Sequence, residues 1–415
     1  MIRTPTYVFA LALAALLTPG AAAQEIETLS GTQKGAIQSL EGKGDKALLV
    51  TSTGKIPLES VKAIRWRTLR RAARGSKLVL SNGDWIRGTI VGGNEDQLSV
   101  KSDSLGALKV PLEQVRGILP NALPPAHERR LTALLRGAQE IDEVRLKKGG
   151  RVRGSIAKID GTRVQIDTEV EGGSKMGPLG FDLGKVELIG IAPLGDPPAN
   201  PTGLHVVVRT LDGSSLRGEL TGLGKNQLLL KHPLGGKSPL KLPLTRVSEL
   251  AIQNGRFLYL SDQEPRSVEQ KFPQDFSYEV ALWGFKKDRN VLGGKLRLDG
   301  RVYAKGLGVH SYCKLSFKLD KRFASFKVIV GLDDSTRYLG RPGFGGVVFR
   351  VLLDGKPAKE LAQGLHKRKG QKASALKIDV KGKSTLTLIA DYDPVSLHVL
   401  GRANWADAHL IRVKR

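Results

Sequence analysis
The stretch Lys77-Leu-Val-Leu-Ser-Asn-Gly83 continues as Asp84-Trp-Ile-Arg-Gly-Thr-Ile-Val91, Gln97-Leu-Ser-Val-Lys101, Leu108-Lys-Val-Pro-Leu112 and Val115-Arg-Gly-Ile-Leu119. Apolar and polar residues alternate with a period of two, and Asn-Gly and Gly-Gly interrupt the runs. That pattern predicts a meander of four or five short strands. About 40 residues of such strands hide both faces best by curling into a small barrel.

The stretch is one of four related segments, marked by Thr32-Gln-Lys-Gly35, Gly83-Asp-Trp-Ile-Arg-Gly88, Gly150-Arg-Val-Arg-Gly154 and Gly213-Ser-Ser-Leu-Arg-Gly218. From the last glycine of each piece to a closing valine (Val61, Val115, Val186, Val247) the distances are 26, 27, 32 and 29 residues, a spread that a loop insertion explains. The repeating unit resembles an SH3-like or Sm-like module. Helical connectors are expected at Trp66–Gly75 and Pro124–Gly137, the second with Leu131, Leu134 and Leu135 on one face.

Composition separates this half from the rest. Residues 24–254 carry only Trp66, Trp85 and Phe181 as aromatics, whereas 255–415 carry seventeen, so the two parts build different cores. The expected division is a signal peptide at 1–23, small β-modules at 24–65, 76–119, 143–192 and 202–254, a helical linker at 120–142, and a larger domain at 255–415. The leader has one arginine, an apolar run from Tyr7 to Leu17 and small residues at Ala21–Ala23, which predicts export with cleavage before Gln24. Its eleven apolar residues reach only about half of a ~30 Å hydrocarbon core. The expected location is therefore periplasmic, outer-surface or extracellular, with no transmembrane segment after cleavage.

Lysine and arginine total 66 against 40 acidic residues, a formal charge of +26. Two basic runs stand out as candidate polyanion contacts: Arg67, Arg70, Arg71, Arg74 and Lys77, then Arg145, Lys147, Lys148, Arg151 and Arg153. Such runs attract an acidic envelope polymer or partner protein, or else form a solvated face. Nucleic acid is set aside, because the chain is expected to be exported and its repeats carry no stacking aromatics. The single cysteine, Cys313, excludes an internal disulfide and cysteine-rich metal sites, and the seven histidines form no ligand cluster in sequence.

Beyond Arg256 the texture changes. Leu315-Ser-Phe-Lys-Leu319, Ala324–Val330, Val347–Leu353, Ala375–Val380, Thr385–Ile389 and Asp407–Val413 read as strands, with Leu315, Phe317 and Leu319 facing in. They predict a two-sheet sandwich. The fold class is thus all-β and multidomain, small SH3/Sm-like barrels followed by a jelly-roll β-sandwich.

Five motifs in order, Asp288–Gly300, Lys305-Gly-Leu-Gly-Val-His-Ser311, Gly331-Leu-Asp-Asp334, Leu353-Asp-Gly355 and Ala403-Asn-Trp-Ala-Asp-Ala-His-Leu-Ile411, resemble the NPCBM/NEW2 domain. This is a carbohydrate-binding module found beside glycoside hydrolases and in secreted multidomain proteins. The resemblance implies a galactose-binding-like jelly roll over 255–413 with a glycan or polysaccharide as partner. It singles out His310, Asp333, Asp334, Trp405 and Asp407 as candidate carbohydrate contacts. His310 suits either a sugar hydroxyl or a backbone latch, the two aspartates either a ligand or a turn, and Trp405 either a stacking face or the core. Asp391 and Asp393, alternate residues of an irregular turn, are candidate ligands for a structural calcium; no other cofactor is implied.

No Gly-x-Ser-x-Gly elbow, His-Glu-x-x-His or phosphate loop is present. The reading is an exported, non-catalytic carbohydrate-binding or adhesion protein of the bacterial cell envelope. The competing class is a structural or protein-interaction scaffold that binds no free glycan.

Overall fold
The computed structural model describes residues 24–66, 75–137, 140–169, 175–224, 226–271, 283–337 and 344–413. The expected leader and Arg67, Arg70, Arg71 and Arg74, with most of the first helical connector, lie outside the described residues. The chain divides into two compact units, 1–252 and 253–415. Among the described residues strands dominate, and Pro125–Leu134 is the one α-helix.

The second repeat shows how the first unit is built. Ser76–Leu80 pairs with the first part of the long strand Trp85–Gly93, whose second part pairs with Gln97–Ser102; that strand pairs with Gly106–Pro111. A 3-10 turn at Leu112–Gln114 then delivers Val115–Leu119 back onto Ser76–Leu80, so the strand order is 5-1-2-3-4. The long strand changes partners at Gly88, where an added Cβ would lie 2.7 Å from the Lys101 carbonyl oxygen. Gly154 and Gly218 sit at the same bend in the third and fourth repeats, at 1.9 Å from the Asp167 oxygen and 2.4 Å from the Lys231 oxygen. The recurring Arg-Gly pair therefore marks a close approach of backbones that only glycine allows.

The fourth and fifth strands of every repeat are joined by a 3-10 turn whose first residue is a buried leucine: Leu58, Leu112, Leu183 or Leu244. Proline precedes three of them, holding the entry to the turn at a fixed φ. Each leucine is buried in the aliphatic core of the unit.

The repeats are not separate beads. The fifth strands of the first and fourth pair antiparallel, with Ile64 opposite Leu250, and those of the second and third likewise, with Ile118 opposite Ile189. Trp85 of the second pairs with Ser215 of the fourth. One aliphatic core runs through all four repeats. The helix Pro125–Leu134 covers this sheet through Leu131 and Leu135, which pack with Val79, Leu119 and Leu188. Leu134 departs from the expected face: it stands 42% exposed, at the margin of the stripe set by the i, i+4 pair Leu131 and Leu135.

The second unit is a jelly-roll sandwich. One sheet orders Lys286–Lys287, Gly306–His310, Arg402–Arg412, Phe323–Leu332 and Ser374–Asp379. The other orders Ser267–Gln270, Cys313–Lys318, Thr385–Tyr392, Gly346–Leu353 and Lys356–Pro357. Leu315, Phe317 and Leu319 are buried between the sheets as the alternation requires. Phe349 from one sheet meets Trp405 from the other edge-to-face, ring centres 4.9 Å apart.

Candidate functional site
The strand Phe323–Leu332 ends in the Asp333-Asp334 turn, and the two carboxylates do different work. Asp333 is 2% exposed. Its oxygens accept from Asn290 Nδ2 (3.0 Å), Asn404 Nδ2 (2.7 Å) and the backbone N–H groups of Arg297 (3.2 Å) and Ser335 (3.0 Å). It is a buried pin holding three chain segments to the central strand, and it also lines the cavity beside that turn.

Asp334 lies outward of this pin and accepts from the N–H groups of Asp299 (3.0 Å) and Gly300 (2.8 Å) in the turn between Leu296–Leu298 and Arg301–Tyr303. Asp299 in turn accepts from the N–H of Ala373 at 2.8 Å. Three loops are thereby drawn together around a cavity of about 290 Å³, lined by Asp299, Asp333, Asp334, Arg337, Gln371 and Lys372 among others. Carboxylates that accept, an amide that does both, and cations that donate suit a ring of vicinal hydroxyls, each of which is both donor and acceptor. Asp299, Gln371 and Lys372 went unnoticed in the sequence, since they belong to loops remote from one another along the chain.

His310, Trp405 and Asp407 do not line this cavity. Trp405 is 1% exposed and belongs to the core with Ala403, so the stacking role is corrected: period two on this strand turns both inward. Asp407 sits half-buried at a bulge with φ of 50°, its N–H donating to the Lys305 carbonyl at 2.9 Å. His310 is buried, and its Nδ1–H donates to the Ser311 carbonyl at 2.8 Å, the latch geometry.

The His310 ring also stands 5.1 Å from the half-buried ring of Trp283, over which the Arg402 guanidinium lies at 5.1 Å. Burial holds Arg402 below the usual guanidinium range, against the opposing charge of Asp333. Nearby in the chain, the Tyr312 and Tyr392 rings lie 6.1 Å apart, with the Lys271 ammonium 5.4 Å from the former. Burial pushes both phenols up. This second polar–aromatic cluster was signalled in sequence only by the crowding of aromatics after 255.

The calcium expectation is also corrected. Asp391 accepts from Arg350 at 3.1 Å and Asp393 from Arg368 at 3.3 Å, while Asp393 further accepts from the N–H groups of Val395 and Ser396. Among the described residues no group of three or more acidic, histidine or cysteine side chains converges as a metal site would require. The two aspartates brace their loop through separate arginines.

The candidate polyanion residues fare unevenly. Lys77 is buried, bonded to Glu128 at 3.1 Å and lying 4.6 Å from the Trp85 ring, so it is a packing residue and not a surface contact. Arg145, Arg151 and Arg153 share one buried acid, Glu143. Lys147 and Lys148 are exposed. Cys313 is buried, and its thiol is pushed up to about 12 by desolvation, which removes it as a nucleophile.

The model of the NPCBM/NEW2 domain matches residues 258–411, most of the second unit. The second unit is an NPCBM/NEW2 domain. Among solved structures, the CBM51-2 and INT domains of Clostridium perfringens ZmpB align at 24% identity with a TM-score of 0.32, over 40% of this chain and 34% of that one. The CBM51 of Clostridium perfringens GH95, in complex with methyl-galactose, aligns at 21% identity and a TM-score of 0.30, over 37% of this chain and 99% of that one. The tandem CBM51 modules of a family 98 glycoside hydrolase from Streptococcus pneumoniae align at 12% identity and a TM-score of 0.31, over 81% and 88% of the two chains. This chain thus spans about a third of the length of the first of these structures. A comparison with curated protein sequences finds no match.

Proposed function
We propose that this protein is an exported, non-catalytic carbohydrate-binding or adhesion protein of the bacterial cell envelope, whose NPCBM/NEW2 domain holds a glycan in the cavity beside Asp334. The observation that carries the reading is the convergence, in that domain, of Asp299, Asp334, Gln371 and Lys372 on one cavity of about 290 Å³. Three loops tied by backbone hydrogen bonds make the polar groups rigid before a ligand arrives, which lowers the ordering cost of binding. Catalysis is not part of the reading, because Asp299 and Asp334 are engaged by backbone N–H groups as turn devices. Among the described residues no helix is long and apolar enough to cross a membrane.

On this reading the four-repeat unit is an SH3/Sm-like platform whose exposed cations, Lys147 and Lys148 among them, face an acidic envelope polymer or protein. The test is titration of the full chain with galactose, N-acetylglucosamine and a broad glycan array, comparing Asp334→Asn and Lys372→Ala with the parent chain. Weak binding of a neutral glycan, roughly micromolar to millimolar, is expected, with little salt dependence. A second reading, a scaffold that binds no free glycan, is favoured by the burial of His310 and Trp405. Complete absence of binding by folded protein would select it.

A further inference from the structure
One corner of the sandwich presents large apolar side chains to solvent. Val395 is 63% exposed, Leu397 59%, Phe344 39% and Val399 37%, four of the twelve large hydrophobics that stand exposed among the described residues. The loop that carries three of them is not loose. Asp393, fully buried, accepts from the N–H groups of Val395 and Ser396 and from the Ser396 hydroxyl. Its carbonyl takes the Leu397 N–H at 2.8 Å, and the Ser396 carbonyl takes the Val399 N–H at 3.0 Å. Leu397 and Leu400 are held at φ of 50° and 54°, a left-handed conformation that a leucine adopts only when its surroundings impose it. The fold thus fixes this backbone in a costly shape that leaves Val395, Leu397 and Val399 outside.

Phe344 belongs to the same corner: a Cβ on Gly345 would lie 3.5 Å from Leu400 and 3.5 Å from Lys369, and one on Gly346 would touch Asp393 and Ser396. The strand Leu365–Arg368 pairs alongside, with Arg368 opposite Gly346, and the Lys369 N–H donates to the Gly345 carbonyl at 2.9 Å. Arg368 reaches Asp393 at 3.3 Å while remaining half exposed, and Lys367 and Lys369 flank it in sequence. Four exposed apolar side chains therefore stand beside Arg368 and Lys369 on a rigid edge, while Lys367, its ammonium on the Lys372 carbonyl at 2.7 Å, points to the other face of the strand.

We propose that this corner docks on an anionic phospholipid surface, the apolar side chains entering the boundary between headgroups and acyl chains and Arg368 and Lys369 meeting the lipid phosphates. A membrane satisfies both halves of the patch at once: apolar groups leave water only if a hydrocarbon phase lies just beneath a charged layer. An acidic polysaccharide would answer the cations and leave Val395 and Leu397 in water, and a second copy of the chain would bring like charges together.

The experiment is co-sedimentation of the full chain with vesicles of phosphatidylglycerol and phosphatidylcholine in equal parts, with vesicles of phosphatidylcholine alone, and with heparin. Binding to the mixed vesicles that weakens with salt is expected. A Val395→Ser, Leu397→Ser pair should reduce it at least tenfold with the melting temperature unchanged, and Lys369→Glu should reduce it for mixed vesicles only. No binding to mixed vesicles, vesicle binding indifferent to the serine pair, heparin binding alone, or self-association abolished by the serine pair would each overturn the proposal. The vesicles contain no sugar, so this result stands apart from the glycan reading.

Discussion

Asn404 donates from Nδ2 to Oδ2 of Asp333 across 2.7 Å, with both side chains out of contact with solvent. The bond ties the central strand of one sheet to the turn that shapes the cavity, and Asn290 and the Arg297 N–H complete the junction. Replacing Asp333 by Ala strands several buried donors at once, and each unsatisfied donor costs about 1–3 kcal/mol. We expect Asp333→Ala to destabilise the protein by roughly 3 kcal/mol in urea unfolding. A loss below about 1 kcal/mol would mean that the junction carries little of the fold.

Gly154 should tolerate no side chain. A Cβ there would sit 1.9 Å from the Asp167 carbonyl oxygen, so Gly154→Ala must separate two paired strands, whereas Gly203 has nothing within 4 Å. Overpacking of this kind costs roughly 1–3 kcal/mol. Thermal unfolding should show a clear drop for Gly154→Ala and almost none for Gly203→Ala; equal behaviour would remove the close-approach explanation of the repeat.

Much of this was legible in the sequence, and the reasons are specific. Alternation at Leu315, Phe317 and Leu319 gave the inward face, and the Arg-Gly pairs marked bends because geometry forbids any other residue there. The pairing of Ile64 with Leu250 was not legible: the fifth strands are aliphatic runs that would suit many edges, and nothing local names the partner. Trp405 illustrates the limit at the site. A tryptophan beside polar residues in a terminal motif suits either a sugar or the core, and only its register opposite Leu307 and its contact with Phe349 decide. The cavity was half visible, through Asp333 and Asp334, because Asp299, Gln371 and Lys372 reach it from distant loops.

Asp212 gives the first unit a pH dependence. Burial pushes its carboxyl up, but donors from Thr210, Ser102 and Ser214 outweigh this and hold it below the usual carboxylate range. Ser102 and the Ser104 N–H come from the second repeat, Asp212 from the fourth. A depressed folded pKa stabilises fully above the unfolded value, about 4, and is lost as pH falls through the lower folded value. Urea unfolding of the parent and Asp212→Asn should differ by a constant amount at pH 5–7, about 1–3 kcal/mol, and converge in the acid range. A gap that widens on acidification would reverse the sign and refute the assignment.

Cys313 should be silent in the folded state. With its thiol pushed up to about 12 by burial, almost no thiolate exists at pH 8, and reagent cannot reach it. Labelling by a chromogenic disulfide should be negligible in buffer and reach one thiol per chain in denaturant. Rapid labelling of native protein would show that the strand Cys313–Lys318 opens.

The most direct test of the glycan reading is isothermal titration of the full, folded chain with the best neutral glycan from an array, for the parent and for Lys372→Ala. A micromolar to millimolar dissociation constant, nearly independent of salt, is expected, weakening about tenfold or more in the variant while its unfolding midpoint stays put. No heat of binding from any glycan to the folded parent, or a dissociation constant that Lys372→Ala leaves unchanged, would contradict that reading.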